Sequence, residues 1–245
     1  PIVVEGELGR AVDPDAFASA LAAHPKATVA AFVHAETSTG ARSDAQTLAK
    51  LARAHDCLTV VDAVTSLGGS ELEVDAWGLD AVYSGSQKCL SCTPGLSPVT
   101  FSERAVQRIA KRETQVVSWF LDLNLVMGYW GGEGKRAYHH TAPVNALYGL
   151  HEALVMLREE GIEAAWARHR RHHVALAAGL EALHAVGVGL GLGQPGLQLD
   201  ELARHELDVG GGLLGAAGCE EGAGDEEGEE AHGHSWCTWE GVARC

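Results

Sequence analysis

Two segments of the sequence place chemically active side chains directly after apolar runs. Asp62 follows the run Leu58–Val61, and Gln87 and Lys88 follow the run Ala81–Ser84. A lysine beside hydroxyls, an amide and a carboxylate suits pyridoxal phosphate (PLP) chemistry. The amine can form a Schiff base with the cofactor aldehyde, and the carboxylate can pair with the pyridinium nitrogen. The spacing alone also fits an aspartate that caps a turn and a solvated lysine in a polar loop.

Short apolar runs and helical patterns alternate along the first half of the chain. Four runs predict buried strands: Ala27–Val33, Leu58–Val61, Ala81–Ser84 and Pro98–Phe101. Helices are predicted before and between them, one capped near Asp13 and another near Asp44. This alternation predicts an α/β fold with a mainly parallel sheet and helices on both faces. Because parallel strands end at one edge of a sheet, Asp62 and Lys88 are expected in the same crevice.

Longer helical patterns occupy the region after Ala142. Apolar residues spaced three and four apart predict one helix over Pro143–Glu160 and a second over Ile162–Leu183. A long helix pair of this kind commonly links one domain to the next.

Four segments together carry a resemblance to a known family. They are His34–Gly40, Val61–Gly69, Tyr83–Lys88 and Tyr138–Thr141, in that order along the chain. The set resembles the class V PLP-dependent aminotransferases, and within them the alanine–glyoxylate and serine–pyruvate enzymes. The resemblance implies a fold-type I PLP transferase, of which this chain would hold part of the large domain and a truncated small C-terminal domain.

The resemblance implies a catalytic pair and a residue that contacts the cofactor ring. Lys88 would form the Schiff base with pyridoxal 5'-phosphate and then transfer the proton between the substrate and the cofactor. Asp62 would pair with the pyridinium nitrogen, and Val64 would pack against a face of the ring.

The resemblance also implies polar contacts to the cofactor, some of them from a second subunit. Thr37 would donate a hydrogen bond through its hydroxyl, and Gln87 would donate to the phosphate through its amide. Tyr138 and Thr141 would reach the phosphate of the neighbouring subunit, which implies a homodimer with composite sites.

The resemblance covers roughly residues 1–190 and divides the chain into four expected parts. Residues 1–150 would belong to the large PLP-binding domain and 151–186 to the linking helices; 187–218 would be a remnant of the small domain, and 219–245 a disordered acidic tail. Family members begin before Pro1 and carry a substrate-binding arginine in the small domain. Arg244 is the only arginine in the tail, and its setting does not match. We therefore expect a fragment with a divergent C-terminus.

The composition of the chain argues against several classes of binding partner. The chain has 18 basic and 33 acidic side chains and a net charge of −15, and it offers no basic stripe for nucleic-acid phosphates or acidic membranes. No apolar run reaches the roughly 18 residues that span a bilayer. We expect neither a nucleic-acid nor a membrane partner, and a cytoplasmic location with an organelle as the other option. The cysteines and histidines fit no standard zinc spacing, so no metal is expected.

These observations predict a PLP-dependent aminotransferase that moves an amino group between alanine or serine and glyoxylate or pyruvate. Its small amino-acid and 2-oxo-acid substrates would react through Lys88 with Asp62 on the ring nitrogen. The alternative is an inactive truncated homologue that keeps only part of the fold, dimerisation or weak cofactor binding.

Overall fold

The computed structural model describes residues 1–131 and 138–189. The elements in chain order are α1 (Pro14–Ala23), β1 (Val29–Val33), α2 (Ala45–Ala54), β2 (Leu58–Asp62), β3 (Ala81–Tyr83), β4 (Val99–Phe101), α3 (Glu103–Ala110), a 3-10 helix (Trp119–Leu121), α4 (Leu123–Gly131), α5 (Val144–Glu160) and α6 (Ile162–Gly189). The acidic tail expected over 219–245 lies outside the described residues, as does nearly all of the small-domain remnant expected over 187–218.

The strands form one four-stranded sheet in the order β1-β2-β3-β4. The pairs β1–β2 and β2–β3 are parallel, and β4 runs antiparallel to β3. The predicted, mainly parallel sheet is therefore confirmed. The direction of β4 was not predicted; it follows from the loop over 84–98, which turns back without a crossover helix.

The two expected helix starts are confirmed by their caps. Asp13 Oδ1 accepts from the Asp15 amide at the start of α1, and Asp44 Oδ1 accepts from the Thr47 amide at the start of α2. Each bond satisfies one of the amides that a helix start leaves without an intrahelical partner.

Helix α2 supplies much of the apolar core. Leu48, Ala49 and Ala52 are buried on one of its faces, and Val61 of β2 and Val82 of β3 belong to the same buried cluster. Full burial of a leucine such as Leu48 contributes about 2 kcal/mol to folding. The core therefore fixes β2, which ends at Asp62, and β3, which precedes Lys88.

The region after the sheet is helical, as predicted for α5 and α6. The short helices α3 and α4 were not predicted, although Ser102 caps α3 by accepting from the Ala105 amide. Residues Pro1–Arg170 belong to one compact unit, and Arg171 begins another inside α6. Among the described residues, no helix has both the length and the apolar character needed to cross a membrane.

A buried carboxylate joins the strands at the end of the sheet where β2 and β3 begin. Asp80 is 2% exposed. Its Oδ1 accepts from the Ser102 hydroxyl at 2.7 Å, and its Oδ2 accepts from the Thr59 amide at 3.1 Å and lies 3.4 Å from Arg104 Nη1. The Asp80 amide in turn donates to the Thr59 hydroxyl at 2.8 Å. These bonds tie β2, β3 and the start of α3 to one side chain.

At the other end of the sheet, a buried histidine joins the loops that follow β1 and β2. His34 Nδ1 lies 2.9 Å from the Ser66 hydroxyl, and the imidazole packs edge-on against the Trp77 indole. Burial and the nearby Arg42 guanidinium lower the pKa of His34 from 6.5 to about 4, although the Asp44 carboxylate acts in the opposite direction. His34 is therefore neutral in the folded protein at pH 7.

We expect Asp80→Ala to lower the free energy of unfolding by about 3 to 5 kcal/mol, because it leaves the buried Thr59 amide and Ser102 hydroxyl without their acceptor. Urea denaturation followed by circular dichroism measures this change. Asp56→Asn is the matched control, since it removes the exposed carboxylate that lies 3.4 Å from Arg104. Equal midpoints for Asp80→Ala and the unaltered chain would contradict this role for Asp80.

We expect the stability of the protein to fall as the pH drops from about 6.5 to about 4. Because the pKa of His34 is lower in the folded state, the unfolded chain binds the proton first across this window, and acid favours unfolding by about 3 kcal/mol in all. Urea midpoints at pH 7 and pH 4.5 measure the effect. In His34→Gln the urea midpoint should change less between pH 7 and pH 4.5. In the control His24→Gln, which replaces an exposed histidine, the midpoint should change as much as in the unaltered chain. Equal changes in the two variants would rule out His34 as the source of the acid sensitivity.

Candidate active site

The candidate site begins with the carboxylate at the end of β2. Asp62 is the last residue of that strand and pairs in register with Val33 of β1 and Tyr83 of β3. Its Oδ1 accepts from the Val64 amide at 2.9 Å, and its Oδ2 accepts from the Tyr83 hydroxyl at 2.7 Å. Each carboxylate oxygen therefore has a donor, and the side chain is held in one orientation while remaining partly exposed.

The loop after β3 is held by buried serines. The Ser84 hydroxyl donates to the Ala63 carbonyl at 3.0 Å, and the Ser86 hydroxyl donates to the Thr93 carbonyl at 2.6 Å. Both serines are buried, whereas Gln87 is exposed. The serines satisfy backbone carbonyls, which fixes the path of the loop and leaves the next side chains free to meet a ligand.

Gly85 allows two of the expected site residues, Val64 and Gln87, to approach its backbone closely. A Cβ atom on Gly85 would lie 2.8 Å from Gln87 Oε1 and 3.2 Å from Val64 Cγ1. Contacts this short displace their neighbours, and the branched Val64 has little freedom to move. Gly85 thus lets an apolar group and an amide pack directly against the backbone of this loop, and a larger residue would displace them.

A pair of threonine hydroxyls connects the loops after β1 and β2. Thr37 Oγ1 and Thr65 Oγ1 are hydrogen-bonded to each other. Thr65 directly follows Val64, and its carbonyl accepts from the Cys89 thiol at 3.2 Å. Burial raises the pKa of that thiol, so it stays protonated at pH 7. The Thr65 contacts bring the Thr37 loop and the segment after Lys88 to the same side of the sheet.

The structure places the expected Schiff-base lysine in this loop. Lys88 is exposed and follows Gln87, and its carbonyl accepts from the Ser91 amide at 2.9 Å. The amine is therefore accessible on the loop that leaves β3 at the Asp62 edge of the sheet.

The two residues expected to act on a neighbouring subunit are hydrogen-bonded to each other. The Tyr138 hydroxyl lies 2.5 Å from the Thr141 hydroxyl, and Tyr138 is 71% exposed. Within residues 1–131 and 138–189, no hydrogen bond joins this pair to Asp62, Gln87 or Lys88. The structure of one chain therefore brings Asp62, Val64, Gln87 and Thr37 into one neighbourhood and leaves Tyr138 and Thr141 pointing to solvent.

A buried histidine anchors the segment that carries Tyr138 and Thr141. The His139 imidazole stacks on the Trp119 indole, with ring centroids 4.1 Å apart and an interplanar angle of 16°. Its Nε2 lies 3.0 Å from the Trp119 carbonyl, and its Nδ1 lies 2.7 Å from His140 Nδ1. Since the carbonyl can only accept, His139 donates through Nε2 and accepts from His140 through Nδ1.

The donor set suits an anionic, aromatic cofactor such as PLP. A fixed carboxylate can pair with a protonated ring nitrogen, hydroxyls and an amide can donate to oxygens, and an exposed amine can reach an aldehyde. Val64, packed against Gly85, offers the apolar side chain that a ring face needs. Among the described residues, no group of histidine, cysteine or acidic side chains could hold a metal ion.

Sequence reasoning missed three residues that build the site. Tyr83 donates to Asp62, Thr65 bonds Thr37, and Ser84 ties the loop after β3 to β2. All three lie inside the motifs quoted above, but which partner each one finds depends on the register of neighbouring strands. The expected roles of the site residues themselves stay predictions.

Comparisons with known proteins agree with this chemistry. The family described as aminotransferase class-V matches residues 3–193. Alanine–glyoxylate aminotransferase of Oryctolagus cuniculus is 40% identical over 68% of this chain and 42% of its own length. For (S)-ureidoglycine–glyoxylate transaminase of Bacillus subtilis the identity is 37%, over 74% and 47%. The chain thus spans less than half of the length of these two relatives.

A solved structure shows the same fold. The crystal structure of an alanine–glyoxylate aminotransferase from Nostoc sp. superposes with a TM-score of 0.69 and 45% sequence identity, over 72% of this chain and 46% of that one. The expectation of a fold-type I PLP transferase is confirmed by this likeness. By the family match and by the sheet that carries its motifs, the chain belongs to the class V aminotransferases, a PLP-dependent family.

Proposed function

We propose that this protein takes part in PLP-dependent transamination between alanine or serine and glyoxylate or pyruvate. The observation that carries the proposal is the oriented Asp62 carboxylate, which lies at the same sheet edge as the Gly85–Lys88 loop in a chain of the class V family. The similarity to alanine–glyoxylate aminotransferases supports this choice of substrates.

Four side chains of this chain, in addition to Lys88, would hold the cofactor. Asp62 would hold the ring nitrogen in its protonated form, because an ionised carboxylate stabilises a cation at hydrogen-bond distance. Val64 would contact the ring face, and Thr37 and Gln87 would donate hydrogen bonds to its oxygens. When bound, PLP supplies an aldehyde that combines with amines and a ring that withdraws electrons from the reacting carbon.

Lys88 would perform two tasks. Its amine would attach the cofactor covalently, and after the substrate amine displaces it, the neutral amine would move a proton on and off the substrate carbon. Exposure of Lys88 on the loop after β3 leaves the amine free for both tasks, while the buried Ser84 and Ser86 keep the loop itself in place.

We expect borohydride reduction of the protein incubated with pyridoxal 5'-phosphate to attach a pyridoxyl group to Lys88, because reduction makes the bond to the amine permanent. Peptide mass spectrometry locates the modified residue. Lys88→Ala should lose the label and lower kcat with alanine and glyoxylate at least about a hundredfold. Lys50→Ala, which removes an exposed lysine of α2, should keep both label and turnover.

One outcome would contradict the role of Lys88, and another would contradict the cofactor function as a whole. Undiminished labelling of the Lys88→Ala protein would move the attachment point to another lysine. A lack of specific labelling in the unaltered chain would overturn the proposed cofactor function.

We also propose a homodimer in which Tyr138 and Thr141 complete the site of the other subunit. The support is the exposed position of Tyr138 and the neighbouring apolar surface, where Trp119, Phe120 and Leu121 are all more than half exposed. Apolar surface of this kind on one chain is typical of a face that a partner covers. His139, stacked on Trp119, would hold the two hydroxyls on that face.

We expect mixed dimers to regain a cofactor site that neither parent retains. Lys88→Ala and Tyr138→Phe/Thr141→Val chains should each trap little pyridoxal 5'-phosphate when assayed alone at limiting cofactor. After unfolding and refolding together, random pairing of composite sites should restore trapping at about a quarter of all sites. Trapping no greater than the mean of the two parents would show that each site is built from a single chain.

A further inference from the structure

Tyr83 is bonded to the carboxylate at the centre of the candidate site. Tyr83 and Asp62 are register partners on the parallel strands β3 and β2, so their side chains lie on the same face of the sheet. The Tyr83 hydroxyl donates to Asp62 Oδ2 at 2.7 Å, and the opposite oxygen accepts from the Val64 amide at 2.9 Å. Two donors from two separate elements therefore hold the two carboxylate oxygens.

The tyrosine is suited to act as a permanent donor. Its hydrogen bond to the ionised carboxylate, together with partial burial and the negative charge of Asp62, raises the pKa of Tyr83 above 10. The hydroxyl thus keeps its proton at neutral pH. The residue is 40% exposed, so the ring borders the open side of the site while the hydroxyl is committed to Asp62.

An aspartate side chain that is free to rotate loses conformational entropy when it binds a ligand. A carboxylate already held at both oxygens has lost that freedom during folding, so more of its interaction energy is left for the ligand. A charge-assisted hydrogen bond in a partly buried site is the kind of contact that can impose this order.

We propose that Tyr83 is a positioning residue for the cofactor: its hydroxyl and the Val64 amide together hold the Asp62 carboxylate in the orientation that receives the ring nitrogen. This inference rests on the proposed function, since it assigns Tyr83 to the same site. Tyr83 acts through Asp62 and need not touch the cofactor, and this separates it from the residues expected to bind the cofactor directly.

The bond itself is tested in the protein without cofactor. Tyrosine ionisation can be followed against pH by the tyrosinate absorbance near 295 nm. The titration step of the Tyr83 hydroxyl should be absent in Tyr83→Phe. In Asp62→Asn that step should occur at a lower pH than in the unaltered chain. Tyr148→Phe, which removes the hydroxyl of a tyrosine on α5, is the matched control and should leave that titration in place. A Tyr83 titration that does not respond to Asp62→Asn would overturn the proposal.

The positioning role is tested by a double-mutant cycle on cofactor affinity. Equilibrium dialysis with pyridoxal 5'-phosphate should give a dissociation constant about tenfold higher for Tyr83→Phe than for the unaltered chain. In an Asp62→Ala background the same substitution should change the constant less than twofold, because the carboxylate through which Tyr83 acts is gone. Urea midpoints confirm that each variant is folded before dialysis.

The alternative outcomes each overturn the proposal in a recognisable way. Equal losses of affinity in both backgrounds would show that Tyr83 contacts the cofactor itself or only supports the fold. An increase in affinity for Tyr83→Phe would show that the hydroxyl competes with the ring nitrogen for Asp62. If the unaltered chain binds no cofactor, the proposed function and this inference both fail, and the absorbance titration then shows whether the Tyr83–Asp62 bond survives as a structural contact.

Discussion

Val33, Asp62 and Tyr83 lie side by side because β1, β2 and β3 pair in parallel register. Each of the three strands passes into a loop at the same edge of the sheet, and those loops carry every site residue that one chain brings together. A shift of one residue in β2 would turn Asp62 to the opposite face, away from Tyr83. The apolar packing of α2 against β2, which resists such a shift, is thus a condition for the chemistry as well as for the fold.

Buried polar groups lie at both ends of this sheet, and they have a different role at each end. At the starts of β2 and β3, Asp80 joins Thr59, Ser102 and Arg104, at the end of the sheet opposite Asp62. At the other end, His34, Ser84 and Ser86 satisfy loop groups from within, so the loops are ordered without using the side chains that would meet a cofactor. This arrangement leaves the oriented Asp62 and the exposed Lys88 available on a rigid support. A site that is already ordered does not use part of the binding free energy of its ligand to become ordered.

Local sequence patterns predict some features of this structure well and others not at all. The apolar runs around β1 to β4 and the caps at Asp13 and Asp44 predicted their elements to within two residues, because burial and capping act over short distances along the chain. Helices α3 and α4 were missed: α3 is short and charged, and α4 contains glycines that weaken a helical pattern. The quoted motifs identified Asp62, Gln87 and Lys88 as candidates, yet nothing in them indicated that Tyr83 would bond Asp62 or that Thr65 would bond Thr37.

By itself, then, the sequence determined which residue types are available, which segments become strands and helices, and to which family the motifs belong. Tertiary structure decided the antiparallel direction of β4, the close approach of Val64 and Gln87 over Gly85, and the two hydrogen bonds that orient Asp62. The physical reason is the distance along the chain over which each interaction acts. Periodicity and capping are set by neighbours a few positions apart, whereas a bond such as that between Tyr83 and Asp62 exists only once separate strands have paired in one register and direction.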